Sequence, residues 1–212
     1  LLGGHTSLLE DVAAIRDDLL ALLAIFNAGG RLGIGPWYTL VDDTLVSGES
    51  LIRNLLAARA DSRRYGLNLL PVAYLPASTG HAAQLPQILR GFKLGVALLA
   101  AATDAHNTPD HFVNWEAPGD SHVQVIAAPG SAGWPRPPVT AEQVVRDIQA
   151  QRDRWDGPIL WLYDVNATAE LPADFAAQIK ARTELQLVAA DLEDYLSDWR
   201  VALIAADQPA HK

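Results

Sequence analysis

The stretch SGESLIRNLLAARADSRRYGLNLLPVAYL, residues 47–75, holds the alternation that decides the fold. Ser47 is a helix N-cap residue, whose side-chain oxygen accepts a backbone N–H of the first turn. Behind it Leu51, Ile52, Leu55 and Leu56 fall at helical spacing on one face, and Gly66 supplies the stop. Leu69 to Leu75 then reads as a buried strand, with Pro71 near its start, where a strand tolerates the missing N–H. Helix, glycine stop and apolar strand in that order are part of a βα repeat.

The same rhythm extends both ways. Upstream, Thr6 or Ser7 caps a helix through Asp11, Ile15, Leu19 and Leu23 that ends at Gly29-Gly30, and Arg31 to Tyr38 reads as a short strand. Downstream come a helix from Gln84 to Phe92 and a strand from Val96 to Ala100. Residues 103–139, rich in Pro, Gly, His and Asn, form a loop-rich excursion in which Val113–Trp115 and His122–Ile126 make a small hairpin. Thr140 caps a helix from Glu142 to Trp155, and Ile159 to Tyr163 is an apolar run. A helix to Arg182 and a strand from Leu185 to Ala189 follow, then a helix capped by Asp191 and a closing strand from Val201 to Ala205. The expected fold is α/β, one domain over residues 1–212, with a parallel sheet or incomplete (β/α) barrel flanked by helices.

Composition removes several function classes. A net charge of -9 with no basic stripe argues against nucleic-acid binding, which needs clustered Lys and Arg to neutralise phosphate. The longest clean apolar run, Leu19 to Phe26, is too short to span a bilayer. The absence of Cys excludes disulfides, thiolate metal sites and a cysteine nucleophile, and leaves the compartment open. The start lacks a basic n-region, so no signal peptide is expected there. There is no G-x-S-x-G elbow and no P-loop, and the G-x-G of Gly33-Ile34-Gly35 runs into Pro36-Trp37 rather than a helix start.

Three groups of words carry a resemblance. Gly35-Pro36-Trp37-Tyr38 leads to Asp42-Asp43 and then Ser47-Gly48-Glu49 and Arg53-Asn54-Leu55. Tyr74-Leu75-Pro76-Ala77-Ser78-Thr79-Gly80-His81 runs into Gln84-Leu85-Pro86-Gln87-Ile88-Leu89. Trp115-Glu116-Ala117-Pro118 is the third. In this order they resemble the catalytic domain of glycoside hydrolase family 38, the α-mannosidases, whose forms read G-P-W-Y-x-x-x-D-E, Y-x-P-D-x-F-G-H and W-E-A-P-D-G. Weaker similarity places Asn166-Ala167 where the family has a D-H pair. The family's opening strand with its H-x-D motif is not found, so the chain is expected to start late relative to the family.

The resemblance implies a retaining mannosidase with a carboxylate nucleophile, an acid/base carboxyl and zinc. The family nucleophile, which also contacts the zinc, falls on Ala77, and a zinc-ligand position falls on Ala167. Retaining hydrolysis needs two carboxyl groups, and zinc needs a set of His, Cys or carboxylate ligands. The resemblance therefore implies no catalytic residue and no zinc cofactor in this chain. Trp37, Tyr38, Asp42, Asp43 and His81 remain as candidates to contact a ligand. Each has a plain structural reading beside it: aromatics ending a strand are often core, paired acids in a loop are usually solvated or cap a helix, and His81 can cap the helix after it. The leading expectation is a non-catalytic relative or fragment of an α-mannosidase, acting by binding, with a carbohydrate as the candidate ligand, or as part of an assembly with itself or another protein chain. The alternative is an active retaining, zinc-dependent α-mannosidase seen only in part. A late start also predicts unpaired edges at Leu69–Leu75 and Val96–Ala100.

Overall fold

A computed structural model describes residues 5–75, 80–100, 112–128, 140–152, 157–160, 173–183, 188, 192 and 194–198. The chain divides into two compact units, residues 1–99 with 112–126, and residues 100–111 with 127–212.

In the first unit the elements run α1 (Ser7–Ile15), α2 (Asp18–Ala28), α3 (Gly48–Tyr65), β1 (Ala73–Leu75), α4 (Leu85–Gly91), β2 (Val96–Ala100), β3 (Phe112–Ala117) and β4 (Ser121–Ala128). The helix α3 follows its sequence signals closely. Ser47 accepts the Ser50 N–H at 3.2 Å, Glu49 and the Arg63-Arg64 pair sit at the dipole-favoured ends, and Gly66 closes the helix in the left-handed region at φ 68°.

The four strands form one mixed sheet in the order β1-β2-β4-β3. β1 and β2 pair in parallel, Ala73 with Ala97 and Leu75 with Leu99, while β3 and β4 form an antiparallel hairpin from Phe112↔Ile126 to Ala117↔Ser121. The hairpin turn puts both Gly119 (φ 84°) and Asp120 (φ 60°) in the left-handed region, where Asp is among the side chains that fit. So part of residues 103–139 is sheet rather than excursion, and the hairpin is longer than its sequence suggests. β1 and β4 flank Val96–Ala100 on its two sides, which overturns the expected open edge there. No helix among the described residues is long and apolar enough to cross a membrane.

Two further expectations are corrected. The first helix is two. Arg16 leaves helical geometry at φ -146°, ψ 65°, and its guanidinium grips the Asp18 carboxylate through two 2.7 Å bonds. Asp17 and Asp18 then open α2, where the helix dipole favours negative charge. Arg31 to Tyr38 is not a strand. Gly35 has φ +83°, Pro36 lacks an N–H, and Trp37 makes only an isolated parallel bridge to His5. The backbone passes so close to the next segment that a Cβ on Gly33 would meet Leu70 at 2.9 Å, and one on Gly35 would meet Leu69 at 2.8 Å. Those two leucines precede Pro71, and the strand itself is confined to Ala73–Leu75.

The core of this unit joins Leu51 and Leu55 of α3, Leu85 and Leu89 of α4, the sheet residues Ala97 and Val123, and Trp37. A second cluster of Leu9, Ile34 and Leu67 packs α1 to the turn after α3. Beside it Thr6 donates from Oγ1 to Asp61 at 2.8 Å, both residues buried. α2 is apolar around its circumference yet has no buried residue, and exposes Leu22 and Ile25. In the second unit α5 (Ala141–Arg152) and α6 (Phe175–Lys180) pack through Val144, Ile148, Phe175 and Ile179. Thr140 and Gln143 form a reciprocal capping box: Oγ1 accepts the Gln143 N–H at 3.2 Å and Gln143 Oε1 accepts the Thr140 N–H at 2.8 Å. The sequence-read strands at 185–189 and 201–205 lie outside the described residues, apart from residue 188.

The Asp61 carboxyl is raised above its ordinary value, first by burial and then by the Glu10 charge, against the opposing Thr6 hydrogen bond and Arg64. A raised acid pKa favours the neutral form on folding. That contribution is complete below the unfolded value and is lost as pH climbs through the folded one. Asp61→Asn should therefore raise the urea midpoint at neutral pH and match the wild type near about pH 3. A lower midpoint at both pH values would refute this.

Candidate functional site

Trp37 sets the geometry from below. It is 3% exposed, its indole Nε1 donates to the Tyr74 carbonyl in β1 at 2.8 Å, and it belongs to the core. The next two residues are held by Asn54 of α3, whose Oδ1 accepts the Tyr38 N–H at 2.8 Å and whose Nδ2 donates to the Thr39 carbonyl at 2.9 Å. Tyr38 turns toward α1, where its hydroxyl donates to Glu10 at 3.0 Å; that bond and the Glu10 charge push the phenol pKa up. Neither aromatic candidate joins the acids that follow it in sequence.

Those acids separate as well. Asp42 is exposed and closes a short turn, its Oδ1 accepting from the Thr44 N–H at 3.0 Å and the Thr44 hydroxyl at 2.5 Å, which lowers its pKa. Asp43 is buried. One of its oxygens lies 2.7 Å from His81 Nδ1, and the other accepts the Ala82 N–H at 2.8 Å. A carboxylate only accepts, so Nδ1 donates this bond and the second ring nitrogen is left for another partner. That nitrogen, Nε2, is buried without a hydrogen bond among the described residues. The imidazole also lies 5.4 Å from the Trp115 indole, centroid to centroid, tilted by 46°.

The structure thus brings together Asp43, His81 and Trp115, from a loop, the segment after β1 and β3. His81 does not cap α4, whose N-cap Gln84 makes no side-chain cap bond. Asp43 and Ala82 also wall a cleft of about 350 Å³ that continues along Thr44, Val46, Leu51 and Ile88. Asn54 and Trp115 were not among the sequence candidates, although both sit inside the quoted words; only their contacts show what they hold. Ala77, Ala167 and residues 101–111 lie outside the described residues. Among the described residues Asp43 and His81 offer two potential ligands, with both Asp43 oxygens engaged, where zinc takes three or four from a protein.

No protein-family profile matches the chain. Among curated proteins it is 33% identical over 131 residues to a putative mannosylglycerate hydrolase of Halalkalibacterium halodurans, covering 57% of this chain and 15% of that protein. Among solved structures it is similar to an α-mannosidase of Enterococcus faecalis V583, with a TM-score of 0.74 and 20% identity over 98% of this chain and 24% of the other. A glycosyl hydrolase family 38 protein from Enterococcus faecalis matches with a TM-score of 0.69 and 21% identity, over 98% of this chain and 22% of the other. A 4-α-glucanotransferase of Thermococcus litoralis shares the fold at a TM-score of 0.62 and 13% identity, over 91% of this chain and 32% of its own. The chain thus spans 15% of the curated relative and about a quarter of the solved mannosidases. The fold is an α/β fold shared with carbohydrate-active enzymes. With the sequence words and the curated relative, it makes the chain similar to glycoside hydrolase family 38.

Asp43→Ala should cost about 1–3 kcal/mol, because it leaves two partly buried donors, His81 Nδ1 and the Ala82 N–H, without acceptors. Urea denaturation measures the loss. A change within about 0.5 kcal/mol would mean the dyad is not held as described.

Proposed function

We propose that this chain is a non-catalytic, carbohydrate-binding relative of the family 38 α-mannosidases, with Asp43, His81 and Trp115 serving recognition. The observation that carries the reading is Ala77. Its word, Tyr74-Leu75-Pro76-Ala77-Ser78-Thr79-Gly80-His81, has a methyl group where the family places its nucleophile. A retaining glycosidase sets two carboxyl groups about 5–5.5 Å apart, one of which attacks the anomeric carbon. Alanine can neither attack nor bind zinc, and Asn166-Ala167 at the D-H position removes further ligands, so zinc loss is part of the proposal.

What remains suits sugar recognition. A half-buried indole offers an apolar face, and a buried imidazole nitrogen without a partner among the described residues offers one hydrogen bond to a hydroxyl. The curated relative's name makes mannosylglycerate the first ligand to try. A role against another protein surface is a second reading, supported by the exposed Leu22 and Ile25 of α2.

The purified chain should turn over no activated aryl α-mannoside, and Ala77→Asp alone should restore none, since the zinc ligands stay incomplete. It should bind mannosylglycerate by calorimetry, with about tenfold weaker affinity in His81→Ala. Turnover by the unmodified chain would establish an active enzyme instead. Absence of binding together with concentration-dependent light scattering would favour the protein-surface reading.

A further inference from the structure

A second cleft, of about 220 Å³, lies away from His81. Its residues fall near the chain entries into the parallel strands, with Pro71 just before β1 and Lys93 and Leu94 just before β2. His81 follows β1 at its other end. Ligand sites of parallel sheets usually gather beyond the carboxyl ends of the strands, so this cleft is not part of the site above.

Its chemistry is amphipathic. Leu55, Leu69, Leu70 and Leu94 supply an apolar lining, and among the described residues the only charged lining groups are the cations Arg59 and Lys93, with no carboxylate. The chain as a whole is acidic at -9, so two cations meeting without an acid is a departure from its own composition. Arg59 is fixed in place. Its Nη2 donates to the Phe92 carbonyl at 2.6 Å, and the guanidinium lies 4.5 Å above the Phe92 ring. A guanidinium has five N–H donors, so that bond leaves others to offer.

Lys93 is the less expected residue. It ends the turn after α4 at φ 62°, with its N–H on the Arg90 carbonyl at 2.9 Å. This is the left-handed position that helices ordinarily give to glycine, and a side chain there is strained. Support of the α4 terminus explains Arg59, but it does not explain a lysine in a conformation suited to glycine. Strain kept at one residue points to a use for its side chain.

We infer that this cleft binds a small organic anion with an apolar body, of the class of short-chain monocarboxylates. Its carboxylate meets Arg59 and Lys93, and its hydrocarbon part lies on the leucines. The site is independent of the sugar-binding reading and stands or falls apart from it.

Calorimetry of the full chain with hexanoate, with hexanol as the neutral control, tests the inference. Hexanoate should bind saturably and about tenfold more tightly than hexanol. Lys93→Gly is the deciding variant, because glycine relieves the backbone and the fold should keep or gain thermal stability. Hexanoate affinity should nevertheless fall about threefold to tenfold, and Arg59→Gln should weaken it further. No saturable hexanoate binding, equal binding of hexanol, or unchanged affinity in a folded Lys93→Gly would each overturn the site.

Discussion

Trp37 is the residue on which the first unit is hung. Its indole N–H, buried with the ring, reaches the Tyr74 carbonyl of β1, so a segment too rich in glycine and proline to form a strand is still fastened to the sheet. Its own carbonyl accepts the Thr6 N–H at 2.8 Å, and the Tyr38 carbonyl accepts the Ser7 N–H at 3.0 Å, which seats the start of α1. Asn54 then clamps Tyr38 and Thr39 to α3. One buried aromatic thus joins two helices and a strand. A donor buried without its acceptor costs more than a typical hydrogen bond contributes, so the Tyr74 carbonyl is as much a part of this joint as the ring.

The clamp matters for the site because it decides where the chain goes next. From Thr39 the loop reaches Asp42, which uses its carboxylate on Thr44 and so turns the backbone. Asp43 is thereby delivered to the interior, where its two oxygens engage His81 and the Ala82 N–H. A buried carboxylate is tolerated only when its lone pairs are occupied, and here both oxygens are. The segment after β1 is accordingly tied back to the loop before α3 from its His81 end. None of this scaffolding requires a nucleophile, because a site is grafted on a fold rather than identical with it.

Much of the architecture was legible in the sequence. Ser47 and Gly66 bounded α3, Thr140 opened α5, Val96–Ala100 was a strand, and the words around Trp37, His81 and Trp115 marked the family 38 likeness. These are local matters: a cap, a left-handed glycine and a β-branched or leucine run act over one or two turns of chain, so neighbouring residues suffice to state them. Sequence also determined that residue 77 is alanine, which no packing can change.

Tertiary structure decided the rest. The loss of a strand at residues 31–38 depends on how closely Leu69 and Leu70 approach Gly35 and Gly33. Asp42 and Asp43 are identical neighbours in sequence, yet one faces solvent and the other is buried on His81, 38 residues away. That difference is invisible locally because adjacent side chains leave the backbone in different directions, and burial is settled by whatever arrives from elsewhere. The contact of Arg59 with Phe92 is of the same kind, made when α3 meets the end of α4. The sequence named the residues; long-range packing chose which of them share a site.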